Sequence, residues 1–273
     1  MWWSNPIPKE VRAVVDALKN LPKSAKNLGG AEGLCRAFAG LVDHTLLKPE
    51  AKPDEIRRIC EEAVKYGFAT VFVNPCYTAL AAKRLKGSDV RVGSVAGFPL
   101  GASSAAIKLA EAKQGIEDGA HEVDMVICVG ALKAGEDKRV ESEIRELAEA
   151  CHEGEAILKV ILECALLTDE EKRRGAKLAL RAGADFVKTS TGFAAGGATV
   201  ADVQLMRRTV GPGMGVKAAG GVRTRDEAEA MVQAGATRIG ASAGVKITQA
   251  EPASRPGAAV ATAGLAAPKQ GNY

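Results

Sequence analysis

Short runs of β-branched and aliphatic residues recur along the chain, each followed by a longer stretch in which apolar positions return every three or four residues. The runs at 40–43, 70–73, 91–96, 122–127, 157–162, 185–188, 216–218 and 237–240 read as eight strands. Between them, 53–66, 103–118, 136–152, 169–181 and 225–234 read as helices. In 53–66 a proline opens the segment, and Ile56, Ile59, Cys60 and Val64 form one apolar face. Gly-Ala junctions at 118–120, 181–184 and 233–236 fit a glycine cap at each helix end. Strands alternating with helices and no two-residue hairpin signal predict parallel strands, closed as an α/β (β/α)8 TIM barrel, with an open doubly wound sheet as the alternative. The predicted organisation is an N-terminal helical extension at 1–39, the barrel at 40–249, and a flexible Ala/Gly/Pro-rich tail at 250–273. Within the extension, 9–21 reads as an amphipathic helix and 22–33 as linker and turn.

Composition narrows the range of partners. With 47% hydrophobic and 26% charged residues the chain is ordinary globular material. Its net charge of +4 is spread along the sequence and aromatics make up only 4%, so no nucleic-acid footprint appears; any anionic partner is expected to be small. Six cysteines lie far apart, without a CxxC pair or a histidine at ligand spacing, which argues against zinc or redox motifs and for reduced, mostly buried thiols. No signal-like leader or run of 18 apolar residues is present, so the expectation is a cytoplasmic chain with no membrane partner.

Parallel strands are buried on both faces, so a charge in mid-strand is costly unless paired or used. Asp124, Lys159, Lys188 and Lys217 occupy four successive predicted strands at separations of 35, 29 and 29 residues. One βα unit spans about that distance, so period-two alternation can aim all four into one barrel mouth. A buried ion-pair cluster, or salt bridges turned outward to the helices, is the structural alternative. The chemical reading is a lysine crowded by other ammonium groups, whose lowered pKa lets a neutral amine attack a carbonyl, with Asp124 moving protons.

The last strands run into Thr189-Ser190-Thr191-Gly192, Gly220-Gly221-Val222-Arg223 and Gly240-Ala241-Ser242-Ala243-Gly244. Such glycine-bearing loops suit phosphate, which barrels of this type hold after strands seven and eight. The last stretch also matches the G-x-S-x-G nucleophile elbow, but His44, His121 and His152 all precede the serine, and that fold needs its histidine after it. His44 beside Asp43 reads as a structural group, with a catalytic role as the alternative.

Taken together, Asp43-His44-Thr45-Leu46-Leu47-Lys48-Pro49, Glu122-Val123-Asp124-Met125-Val126, Leu158-Lys159-Val160-Ile161, Asp185-Phe186-Val187-Lys188-Thr189-Ser190-Thr191-Gly192 and Lys217-Ala218-Ala219-Gly220-Gly221-Val222-Arg223 resemble the deoxyribose-phosphate aldolase family over about residues 40 to 247. The resemblance implies a class I aldolase that reversibly cleaves 2-deoxy-D-ribose 5-phosphate to D-glyceraldehyde 3-phosphate and acetaldehyde in deoxyribonucleoside catabolism, with no metal or cofactor. It implies Lys188 as the Schiff-base lysine and Lys217 as its neighbouring cation. Asp124 and Lys159 become a proton relay, while Asp43, at the end of strand one, orients hydroxyls or lysines. Gly192, Gly220, Gly221 and Ser242 hold the phosphate, and a homodimer or larger homo-oligomer is expected. Two departures stand out: Phe72 lies where many members carry a cysteine, and Ala243 where they often have a second serine. Tyr273 ends the chain, and either a fold back to the site or plain disorder is open to it. The rival readings are a sugar-phosphate isomerase, which would use no covalent lysine, and a non-catalytic sugar-phosphate sensor.

Overall fold

A computed structural model describes residues 30–249. The expected helix at 9–21, most of the 22–33 linker, the tail and Tyr273 lie outside the described residues.

Eight parallel strands close a barrel in sequence order, as the βα alternation predicts. They are β1 (Val42–Leu46), β2 (Thr70–Val73), β3 (Arg91–Ala96), β4 (Glu122–Val126), β5 (Ile157–Ile161), β6 (Phe186–Lys188), β7 (Gly215–Ala219) and β8 (Arg238–Ala241). Closure runs through β8 and β1, with Val42 opposite Ile239. The first expected strand is displaced: β1 starts at Val42 and continues through His44-Thr45-Leu46, so Asp43 sits near its beginning and not at its end.

The helices on the outside are α1 (Gly30–Ala39), α2 (Pro53–Tyr66), α3 (Thr78–Leu85), α4 (Ala105–Glu117), α5 (Val129–Lys133), α6 (Asp137–Glu153), α7 (Asp169–Arg181), α8 (Val200–Val210), α9 (Arg225–Ala234) and α10 (Gly244–Gln249). Helix α1 takes residues expected as turn, because burying Phe38 and Ala39 in the core outweighs the weak helix propensity of its glycines. On α2 the buried stripe is Ile56, Ile59, Cys60 and Ala63, the i, i+3, i+4, i+7 set; Val64 falls off it and is 49% exposed. Thr168 and Thr224 open α7 and α9 as capping boxes with Glu171 and Glu227, which satisfies the first N–H groups of both helices. No helix among the described residues is long and apolar enough to cross a membrane. Of the thiols, Cys60, Cys151 and Cys164 are buried, Cys35 and Cys128 half-buried and Cys76 exposed; all are free.

Two interior glycines shape the barrel. A Cβ on Gly93 would lie 2.4 Å from the Phe72 ring, and one on Gly215 would lie 2.2 Å from the Phe186 ring. The rings therefore fill space that the neighbouring strands vacate, and the charged side chains gather around them.

Candidate active site

Strand alternation turns Asp43, Asp124, Lys159, Lys188 and Lys217 into the barrel, and all five are buried. The register sets their heights. Asp124 lies opposite Lys159, and Lys188 lies opposite Lys217.

Asp124 is the hub. Its Oδ2 accepts from Lys188 Nζ and from Lys217 Nζ, both at 2.8 Å, while its Oδ1 accepts from Lys159 Nζ at 3.1 Å. Asp43 Oδ2 is 2.6 Å from Lys217 and 3.7 Å from Lys159. Below them Arg238 donates to Asp43 Oδ1 at 2.6 Å and to Glu122, which also bonds Lys159. Thus Lys159, Lys188, Lys217 and Arg238 face Asp43, Glu122 and Asp124, so the interior carries more positive than negative groups. Arg91 adds a further cation at the floor, 3.8 Å from Glu122.

Burial opposes ionisation of Asp124, yet Lys159, Lys188 and Lys217 outweigh it and hold its carboxyl far below the usual carboxylate range. Asp43 and Glu122 are held low in the same way, mainly by Arg238 against burial. Burial also works against charged Lys159, but Asp124, Glu122 and Asp43 prevail and raise its pKa above that of an ordinary lysine. At Lys217 the balance goes the other way. Desolvation, helped by Lys188 and Lys159, overcomes Asp124 and Asp43 and lowers its pKa from 10.5 to about 8. Its ammonium also lies over the Phe72 ring, 3.7 Å from the centroid, with Lys159 at 4.3 Å from the same ring.

The three lysines differ in access. Lys159 is sealed at 0% side-chain exposure and Lys217 at 1%, whereas Lys188, the last residue of β6, shows 4%. Its ammonium is 5.9 Å from the centroid of Phe98, which meets Phe193 edge to face across the mouth at 5.4 Å.

The loops after β6 and β7 press backbone to backbone. A Cβ on Gly220 would lie 3.1 Å from Gly197 Cα, 3.3 Å from Ser190 Cβ and 3.5 Å from Gly192 Cα. Gly192, Gly220 and Gly221 all have left-handed backbones, at φ 87, 91 and 82°. Among the described residues their amide N–H groups have no acceptor, and the buried Ser190 hydroxyl also lacks a partner. Ala219 pairs with Gly240, so Ser242 leaves the adjacent strand end beside this cluster, exposed to solvent.

His44 points the other way from Asp43. Its Nε2 meets Glu62 at 2.7 Å and its ring packs on Phe68, which is the structural role expected of it. It borders a cavity of about 720 Å³ on the barrel's flank, with Lys48, Glu62, Ser242 and Lys246; of the residues expected at the site only Ser242 lines it, and the site lysines do not. No group of three or more His, Cys, Asp or Glu suited to a metal ion occurs among the described residues.

Of the buried charges in this cluster, the sequence singles out all but Glu122 and Arg238. The missed signal was the same as for the others, a charge in a buried strand. Both open their strands, where a charged side chain ordinarily reaches solvent.

Residues 38–250 match the family described as DeoC/LacD family aldolase. A deoxyribose-phosphate aldolase of Bacillus cytotoxicus is 58% identical over 210 residues, covering 77% of this chain and 94% of its own. One from a Geobacillus species is 58% identical over 216 residues, 79% and 96% of the two chains. Among solved structures, a putative deoxyribose-phosphate aldolase from Coccidioides immitis superposes with a TM-score of 0.76 at 43% identity, over 78% of this chain and 85% of that one. The deoxyribose phosphate aldolase from Aeropyrum pernix, described as having a unique tetrameric structure, gives 0.76 at 33% identity over 87% and 96%. A closed barrel with lysines gathered on one carboxylate, and relatives this similar over nearly their whole length, establish that the chain belongs to the DeoC/LacD family of aldolases.

Proposed function

We propose that this aldolase cleaves 2-deoxy-D-ribose 5-phosphate through a Schiff base on Lys188. The observation that carries the assignment is the Asp124 carboxylate shared at 2.8 Å by Lys188 and Lys217, of which Lys188 stands nearer the mouth. A surplus of positive charge favours loss of one ammonium proton, and Asp124 Oδ2 gives that proton a path between the two amines. The neutral Lys188 amine attacks C1 of the open-chain sugar, and the carbinolamine loses water to give an iminium. As the C3 hydroxyl gives up its proton, the C2–C3 bond breaks, its electrons pass into the iminium, and glyceraldehyde 3-phosphate leaves. The remaining enamine takes a proton at C2, and water then releases acetaldehyde and the free lysine.

Asp124 and Lys159 serve as the proton relay in this scheme, since they are directly bonded and Lys159, protonated at rest, can give up a proton and regain it. Asp43 holds Lys217 in place from a position near the start of β1. The phosphate sits on the free N–H groups of Gly192, Gly220 and Gly221, with Ser242 at the rim. The barrel at 40–249 is the catalytic unit, to which 1–39 and 250–273 are appended; the match over 38–250 supports this division. The free thiols favour a reducing, cytoplasmic setting, and the tetrameric relative favours a homo-oligomer.

The test is to mix the protein with 2-deoxyribose 5-phosphate, add borohydride and map the adduct by peptide mass spectrometry. A reduced adduct on Lys188 is expected. An adduct on Lys159 or Lys217 would keep the aldolase and overturn the residue assignment, and no adduct despite ligand binding would favour the isomerase or sensor reading.

The lowered pKa of Lys217 gives this site a pH signature. A lysine with a pKa near 8 loses its proton as pH rises through that value, so the share of lysine pairs holding a free amine increases. Initial rates at low substrate should therefore climb with pH and reach half their plateau close to 8. Asp124 stays ionised well below the ordinary range and adds no acid limb of its own. A profile flat across about pH 6 to 9 would contradict this account.

A further inference from the structure

Glu163 is buried, and its backbone is left-handed, at φ 56 and ψ 63°, a conformation that side-chain-bearing residues seldom adopt. It follows β5 directly, where the chain turns into the Cys164–Leu166 segment. Its Oε2 accepts from the Thr191 amide at 3.2 Å and from the Thr191 hydroxyl at 2.5 Å. Thr191 Oγ1 in turn accepts from the Phe193 amide at 3.1 Å. One residue further on, Cys164 N–H donates to Thr189 O at 2.9 Å. The stretch from 163 to 164 therefore clamps the loop that leads out of Lys188; among the described residues Glu163 has no ion pair, and its other oxygen, Oε1, is buried without a hydrogen-bond partner.

The pattern of donors left over is informative. Glu163 consumes the Thr191 amide and, through the hydroxyl, fixes the Phe193 amide, while Gly192 N–H between them keeps no acceptor among the described residues. We propose that Glu163 is a positioning residue for phosphate: by holding Thr191 it sets the 189–193 loop so that Gly192 N–H is the donor reserved for the substrate's phosphate. The inference rests on the phosphate assignment made above for Gly192, Gly220 and Gly221. A carboxylate serves here because a single oxygen must accept both an amide and a hydroxyl. Glutamine can also supply one oxygen with two lone pairs, whereas alanine supplies none.

The test compares kcat and KM for 2-deoxyribose 5-phosphate and for unphosphorylated 2-deoxyribose in the wild type, Glu163→Gln, Glu163→Ala, Thr191→Ser and Thr191→Val. Glu163→Ala and Thr191→Val should raise KM for the phosphorylated sugar by roughly tenfold, the effect of losing about one hydrogen bond. Their kcat, and their kcat/KM on the unphosphorylated sugar, should stay within about twofold, as should all constants of Glu163→Gln and Thr191→Ser. Equal losses on both sugars, or an unchanged preference for the phosphorylated one, would overturn the inference. If Glu163→Ala fails to fold, Thr191→Val decides the question in the same way. A wild type with no preference for the phosphorylated sugar would instead bring down the phosphate assignment, and this inference with it.

Discussion

Lys188→Arg should lower aldolase turnover by about 10⁴-fold or more and abolish borohydride-dependent labelling, while leaving the barrel folded. Arginine retains the positive charge that Asp124 needs, so the buried ion pairs are not stripped of a partner. What it removes is the ability to shed a proton and form an iminium, which makes the variant a test of chemistry and not of stability. Steady-state assays together with a thermal melt separate the two effects. Retention of more than a few per cent of wild-type turnover in a folded Lys188→Arg would place the nucleophile elsewhere, with Lys217 as the first suspect. Lys217→Arg makes the complementary measurement: if Lys217 acts only through its neighbour, it should slow Schiff-base formation yet still permit an adduct on Lys188.

Arg238→Leu is expected to cause the largest loss of stability, about 3 to 5 kcal/mol, because it takes a shared cation from two buried carboxylates and leaves Asp43 to Lys217 and Glu122 to Lys159. Arg238 is bonded to both Asp43 and Glu122, and each of those is fully shielded from solvent. Burial opposes its charge, but Asp43 and Glu122 hold its pKa above even the usual arginine range. For a chain of this length the loss corresponds to a fall in Tm of about 10 °C, measurable by calorimetry. Combining it with Glu122→Leu should cost less than the sum of the single changes, since the second substitution removes one of the carboxylates that lost its guanidinium. A single variant within about 1 kcal/mol of wild type would show that water or a rearranged lysine takes over the arginine's part.

The degree to which the site was legible in the sequence follows from where each charge falls in its strand. Asp124, Lys159, Lys188 and Lys217 stood out because a lone charge inside an apolar run has no cheap explanation, and their spacing matched the βα unit. Glu122 and Arg238 carry the same signal in weaker form, since the first residue of a strand normally reaches solvent at the barrel floor. Only closure of the barrel brings Arg238 against Asp43 and Glu122, across separations of 195 and 116 residues that no local pattern encodes. Asp43 was placed by resemblance and at the wrong end of its strand, because Leu46-Leu47-Lys48-Pro49 hid where β1 stops. Helix α1 was hidden for another reason: its glycines read as turn, and the core contact of Phe38 that overrides them is a tertiary fact. Glu163 gave no signal, since nothing in Leu162-Glu163-Cys164 marks a left-handed residue.

Phe72 and Gly93 share a single volume on neighbouring strands, the ring of one occupying the place where the other would carry a side chain. The two positions are therefore coupled as evolutionary and engineering variables. A smaller residue at 72 empties a pocket beneath the Lys217 and Lys159 ammonium groups, and a larger one at 93 collides with the ring unless 72 shrinks in compensation. A library that randomises both codons should return active pairs whose combined size is nearly constant, so any redesign of the barrel interior beneath these lysines has to treat them as one locus.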